Sequence, residues 1–536
     1  MDQRSTNLGV LPELQQLSIR SKQHKQAGLT AQALAATRRS QAAEASRSNR
    51  DQLLRAKRLR HAPYDSFSLG PSHIVQPESP KTRIAQLVAS ISAASTSLCD
   101  RHKALRALRQ LLSEGDALLL AAAQAGAGNC LAKSLVIRHN SAVELKTVFE
   151  AAWAITTMAA GPPESVAAVL PAAPMLILLL RCPSTHVAEQ SAWALGNMAG
   201  DSAVARSRLQ ANGAVKPLLH RLLAAQDHPE RHTLSTACTA AWALSNLLQD
   251  QSQAIKEVFA VAGGAQGLIR LLATSSNLEL LVETAWALCH ATHSQTDANR
   301  LVHLGLIQAA TQQIRACTMQ ARSGEEGMLA VLGLLTPLLR TITNVAALGG
   351  HDTCSQLLSP PACDCIIAMA EVCLAGKDAG LKAEAARLCA SIAAMPCRRG
   401  EAGGHRGQQA LQPLLPVLLN VFVNAELHAQ REAAYAFANL LAAKECEGIG
   451  AVSVAQMLVQ EEALAALQTG LRCSDQDLML VLLHLVGMVS KLKPEYRSGL
   501  STMLADDINV LARDGAPSQG VASHILECIT VSDNAM

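Results

Sequence analysis

An all-α solenoid is the fold class this chain predicts, and three observations carry it. Hydrophobic residues fill 49% of the 536 positions while aromatic residues fill 2%, an Ala- and Leu-rich balance that suits helices packed closely through small side chains. All four tryptophans stand in one recurring pattern: FEAAWAITTMAAG around Trp153, EQSAWALGNMAGDS around Trp193, TAAWALSNLLQD around Trp242 and VETAWALCHATH around Trp286. Their separations of 40, 49 and 44 residues lie near the period of about 40 to 47 residues of three-helix armadillo or paired-helix HEAT units. Tetratricopeptide and ankyrin periods are too short.

In chain order, residues 1–60 form a basic arm, with 12 Lys/Arg against 4 Asp/Glu, whereas the remainder carries 34 against 39. Such asymmetry marks an interaction tail, and the mildly acidic body is a poor surface for nucleic acid. Residues 61–83 hold the Pro- and Ser-rich stretch HAPYDSFSLGPSHIVQPESPKT and read as a linker. The array is expected over 84–515. Its units read as short helix, glycine turn, helix, loop and long helix, as where Asn212-Gly213 opens VKPLLHRLLAA. Copies without tryptophan surround Arg340 (TPLLRTITNVAAL), Arg387 (KAEAARLCASIAA) and Tyr435 (REAAYAFANLLAA). With HKALRALRQLLS and LMLVLLHLVGMVSKL as end copies, about nine or ten units stack into a solenoid with a long concave surface. Residues 516–536 are expected to be a loose tail.

Several function classes drop out. The 15 cysteines include no C-x-x-C, so neither a zinc site nor a disulfide framework is indicated, and buried thiols in a reducing compartment fit better. No metal or cofactor is expected. The run from Val166 to Leu180 contains Pro171 and Pro174 and is too short and broken to span a membrane. No charged segment followed by an apolar one opens the chain, so secretion is not expected. Enzyme motifs are missing too: there is no G-x-S-x-G, Walker A loop, G-x-G-x-x-G or H-E-x-x-H.

On a helix each residue turns about 100°. With tryptophan at the origin, Ile155, Leu195, Leu244 and Leu288 at +2, and Met158, Met198 and Leu247 at +5, fall on the opposite side. This places the core face away from the indoles and predicts that the indoles line an open channel. Asn197 and Asn246 at +4 share the indole stripe, and Glu150 and Glu283 stand three residues before the ring. A ladder of indoles and amides suits an extended peptide. Amides bond its main chain whatever its sequence, and indoles form slots for aliphatic stems that end in cations.

On these motifs the chain resembles the importin-α (karyopherin-α) family of armadillo nuclear import adaptors, with similarity over most of residues 84–500. The resemblance implies that Trp153, Gly161, Trp193, Asn197, Asp201, Trp242, Asn246, Trp286 and His290 form a major site for nuclear localisation signals, with Asp201 and Gly161 fixing a key lysine. It implies a minor site at Arg340, Asn344, Tyr435 and Asn439. The segment TRRSQAAEASRSNRDQLLRAKRLR resembles the importin-β-binding segment, with Arg38, Arg39, Arg47, Arg50, Arg55, Lys57, Arg58 and Arg60 spaced for a basic helix. In the family the last basic cluster also occupies the chain's own groove. The implied partners are basic cargo proteins and importin-β, and the implied behaviour is that of a monomeric adaptor shuttling between cytoplasm and nucleus, with no membrane insertion.

The chain departs from the family pattern at Thr157 and His290, which replace ladder asparagines, and at Val166, which replaces a threonine of the lysine pocket. Arg387 and Tyr435 replace tryptophans in the minor site, with Ser391 and Asn439 following. A positive Arg387 is expected to repel a second basic cluster. The competing interpretation is an armadillo scaffold with a retuned groove and no import role.

Overall fold

A computed structural model describes residues 79–227, 231–395, 406–442, 449–513 and 518–530. The basic arm and nearly all of the linker lie outside the described residues. Among the described residues every regular element is a helix, and they divide into two compact units, with the division in the chain falling between His293 and Ser294.

The first unit opens with Pro80–Ser92 and α1 (Leu98–Leu112). Four triplets follow, each ending in a long helix: Asp116–Gln124, Ala127–Lys133 and α2 (Ala142–Ala159); Pro163–Val169, Ala173–Leu179 and α3 (Thr185–Asp201); Ala203–Ala211, Val215–Asp227 and α4 (Arg231–Leu248); Ser252–Ala260, Gly264–Thr274 and α5 (Leu278–Ala291). The long helices stack directly, α1 on α2, α2 on α3, α3 on α4 and α4 on α5.

The second unit repeats the plan. Its triplets are Gln295–His303, Leu306–Ala321 and α6 (Glu325–Leu348); His351–Leu357, Ala362–Ala375 and α7 (Ala379–Ala393); Arg406–Leu411, Leu415–Asn424 and α8 (Leu427–Leu441); Ile449–Leu458, Glu461–Leu471 and α9 (Gln476–Leu492). Here α6 packs on α7, α7 on α8 and α8 on α9. Helix α6 is long and apolar enough to cross a membrane, but its Leu334, Leu335, Leu338 and Leu339 are buried in the helical core.

Local chemistry explains where the elements start and turn. Gly213 has φ +77°, a left-handed conformation that costs glycine little, and it makes the turn predicted at Asn212-Gly213. In the α3 triplet a 3-10 turn at Leu170–Ala172 containing Pro171 does this work and splits the apolar run from Val166 to Leu180. Side-chain caps start several of the long helices. Ser141 and Glu144 form a capping box on α2, while Asn277, Asp378 and Asp475 accept backbone N–H bonds at 2.8, 2.7 and 2.9 Å. Each such cap stabilises its helix by about 1 kcal/mol.

The array extends beyond the expected ends. Its first described helix is Pro80–Ser92, and the segment read as a loose tail contains the helix Gln519–Thr530, which buries Ala522, Ile525 and Ile529. That spacing forms one apolar stripe. The stripe is only three residues long, which is why it was inconspicuous in the sequence.

Candidate functional site

The predicted core face is correct. Ile155, Leu195, Leu244, Leu288, Met158, Met198 and Leu247 are at most 1% exposed. The opposite face is not the open channel expected. Trp193, Trp242 and Trp286 are 7%, 4% and 2% exposed, and only Trp153 is half-buried. Part of the reason is the close stacking of the long helices: the Trp242 ring lies on Gly196 of α3 and leaves no room there for a Cβ. The Trp242 indole thereby packs its repeat onto the preceding one.

The asparagines behave likewise. Asn197 Nδ2 donates to Thr156 O at 3.0 Å, Asn246 Nδ2 to Gly196 O at 3.1 Å and Asn439 Nδ2 to Ala390 O at 2.9 Å. In every case the acceptor lies three residues after the ring position of the preceding long helix. The expected amide ladder is therefore first a set of ties between repeats. An amide offers two N–H donors and one oxygen, and the Oδ1 atoms of Asn197 and Asn439 are buried without a hydrogen-bond partner.

The residue three before the ring makes a second set of ties. Gln190 Nε2 donates to Thr156 Oγ1 at 2.7 Å, and Ser245 Oγ to Glu283 Oε2 at 3.1 Å. Glu150 accepts from Arg109 Nε of α1 at 2.6 Å, and the same guanidinium sits over the Trp153 ring, 3.9 Å from its centroid. Arg109 occupies the ring position of α1, and composition alone gave no hint of its role.

Trp193, Asn197 and Asp201 stand at i, i+4 and i+8 of α3 and share one face. Asp201 is half-buried at the helix end, as is Gly161 beyond the end of α2, where a Cβ would collide with Leu119. Arg206 lies nearby. Burial lowers its pKa, against the opposing charges of Asp250 and Asp201, and its Nη1 donates to Ala199 O at 3.1 Å. Val166 is 2% exposed and supplies no hydroxyl. At the far end His290 stacks on Trp286 with centroids 5.9 Å apart and ring planes at 25°.

The second unit replaces rings with charges. Arg340 donates to Glu384 at 2.8 Å, and Arg387 donates to Glu384 at 3.1 Å and to Glu432 at 3.2 Å. His428 contacts Arg387 on one ring nitrogen and Arg431 on the other, both at 3.0 Å, and Arg431 reaches Asp475 at 2.9 Å. Arg387 is 4% exposed. Burial works against its charge, but Glu432 and Glu384 outweigh it and raise the pKa. The expected repulsion of a basic cluster by Arg387 is thus corrected: two carboxylates neutralise its charge inside the stack. Arg340, Asn344 and Tyr435 remain half-buried. Glu384, Glu432, His428 and Arg431 were missed in the sequence, although glutamate recurring three residues before the ring position was a readable signal.

Among the described residues no group of three or more His, Cys, Asp or Glu is placed to hold a metal. The described cysteines are free thiols, and burial pushes Cys373 and Cys389 up to about 12.

Comparison with known proteins places this architecture. Residues 165–200, which carry the Trp193 repeat, match the armadillo/beta-catenin-like repeat. The chain is 30% identical over 373 residues to importin subunit alpha-9 of Arabidopsis thaliana, covering 67% of each chain. It is 28% identical over 430 residues to importin subunit alpha-2 of Oryza sativa subsp. japonica, covering 76% of this chain and 74% of that one. The fold is shared with the crystal structure of an engineered protein, at a TM-score of 0.67 and 21% identity over 84% of this chain and 99% of that one. With its stacked three-helix units and its ladder positions in register, the chain belongs to the importin-α family of armadillo-repeat nuclear import adaptors, as a divergent member.

Proposed function

We propose that the chain carries basic cargo into the nucleus, binding Lys/Arg-rich localisation signals along the α2–α5 ladder and importin-β through the arm of residues 1–60. The observation that carries this reading is the alignment of Trp193, Asn197 and Asp201 on one face of α3. This face combines a ring for an aliphatic stem and a half-buried carboxylate for a cation, while the buried Asn197 amide, bonded to the Thr156 carbonyl, holds α3 in register on α2. The low exposure of Trp193, Trp242 and Trp286 adds a condition: a cargo segment reaches these indoles only by displacing what covers them. The arm's Ala56-Lys57-Arg58-Leu59-Arg60 cluster has the chemistry of a tethered competitor, present at high local concentration. Shuttling between cytoplasm and nucleus follows from the same role. The buried ion pairs of α6–α8 leave the second unit a weak candidate for a basic cluster, so the major site dominates.

The test is a titration of the full chain, and of a chain lacking residues 1–60, with a Lys-rich signal peptide while intrinsic fluorescence is followed. All four tryptophans belong to the ladder, so emission shifts on binding, at lower peptide concentration without the arm. A flat titration of both proteins favours a scaffold with a retuned groove.

A further inference from the structure

We propose that Arg109 is an internal plug: it fills the cation slot at the α1 end of the ladder, so the groove reads a basic segment only from Trp153 onward, and a cargo lysine beyond that end gains nothing. This inference rests on the groove reading above and specifies how many cations the groove accepts.

The slot has the two features a visiting lysine or arginine needs. The Trp153 face lies 3.9 Å from the Arg109 guanidinium carbon, well inside the range of about 6 Å in which a cation is attracted to a ring. The Glu150 carboxylate, one helical turn before that ring, accepts from Arg109 Nε at 2.6 Å. The side chains of Arg109 and Glu150 are only 9% and 11% exposed. A planar guanidinium can stack on the ring and bond the carboxylate at once, so a visiting cation meets neither group unoccupied.

The same arrangement recurs. In the second unit Arg340 at a ring position pairs with Glu384 of the next long helix, and Arg387 pairs with Glu432. All three arginines at ring positions therefore face a glutamate placed three residues before the next ring position. Where an indole holds the ring position the partner position differs: Gln190 follows Trp153, Thr239 follows Trp193, and Glu283, after Trp242, takes the Ser245 hydroxyl. An arginine at the ring position thus comes with its own counter-charge and closes the slot from within the chain.

The experiment uses the full chain and three labelled peptides: a short Lys-rich signal, and the same signal with one lysine added at either its N- or its C-terminal end. Fluorescence anisotropy reads affinity. The wild-type chain is expected to gain from the added lysine at no more than one end. Arg109→Ala, which empties the slot and keeps Glu150, gains about tenfold at the end where wild type gains nothing. It holds the short peptide within about threefold of wild type. Adding Glu150→Gln to that variant cancels the gain, an effect that a purely structural tie does not produce. A tenfold gain by wild type at both ends overturns the plug, and so does a folded Arg109→Ala chain that gains at no new end. Should Arg109→Ala lose its helical circular dichroism, the wild-type series decides: a gain at one end or none upholds the plug. No binding of any peptide to wild type refutes the groove reading itself, and the plug with it.

Discussion

Trp242 and Gly196 meet face on: the indole of α4 lies on the glycine of α3 with no room for a Cβ between them, and Asn246, one turn further on, bonds the same glycine's carbonyl at 3.1 Å. One residue without a side chain thereby fixes both the spacing and the register of two repeats. In an exposed helix interior Gly→Ala stabilises by about 1 kcal/mol. Here Gly196→Ala is expected to destabilise by about 1–3 kcal/mol, because the added methyl overpacks the ring. Thermal unfolding followed by circular dichroism checks the sign, and Trp242→Leu in the same chain recovers part of the loss through the coupling expected of touching residues.

Asn197 separates donor from shape. Asn197→Ala removes the bond to Thr156 O and lowers stability by about 1 kcal/mol. Asn197→Asp keeps the shape but turns a carboxylate oxygen toward that carbonyl in a fully buried site, and it is expected to cost more than alanine. Denaturant midpoints of the two variants decide the order.

The charged column of the second unit is held at Glu384. Glu384→Ala leaves Arg340 and Arg387 short of a buried counter-charge and is expected to cost about 3–5 kcal/mol. The triple variant Glu384→Leu, Arg387→Leu and Glu432→Leu recovers most of this, since it removes the buried charges together and leaves only the half-buried Arg340 without its glutamate. Urea unfolding of wild type and both variants measures it.

His428 makes the second unit acid-sensitive. Its pKa is lowered by burial first and then by Arg387, with Glu432 opposing and Arg431 adding to the fall. A histidine held neutral in the fold takes up its proton more readily when unfolded, so stability is full above the ordinary histidine pKa of about 6.5 and falls as pH drops below it toward the folded value. The unfolding midpoint should decline as the pH falls below about 6.5. His428→Gln should flatten that slope, and a slope unchanged in the variant assigns it elsewhere.

For cargo, Asp201→Lys places a cation where the proposed lysine partner stands. Peptide affinity is expected to fall at least about tenfold, with the helical spectrum retained because Asp201 ends its helix and is half-buried. Competition binding with one labelled peptide reads the effect. Unchanged affinity removes Asp201 from the site.

Much of the fold was legible because repetition amplifies weak signals. The tryptophan spacing set the unit length, the Asn212-Gly213 turn separated two helices, and the apolar residues at +2 and +5 located the core. The exposure of the ladder was misread because a helical wheel treats each helix alone. It identified the face away from the layer beneath but not the neighbouring long helix, on whose Gly196 the Trp242 ring of α4 lies. The ion pairs were illegible for a related reason: Arg109 and Glu150, or Arg387 and Glu432, lie more than forty residues apart, and only the stacking register brings them together.

That register sets rules for exchange. On the long helices the positions three before the ring, at the ring, and three and four after it answer to partners on a neighbour, and one residue inserted among them would turn the rest by about 100° and uncouple them. The connecting segments absorb the length variation, as the unequal distances between tryptophans show. This eight-residue window works as a gauge, so repeats are interchangeable cassettes only when it is kept whole, and a loop can grow without disturbing it.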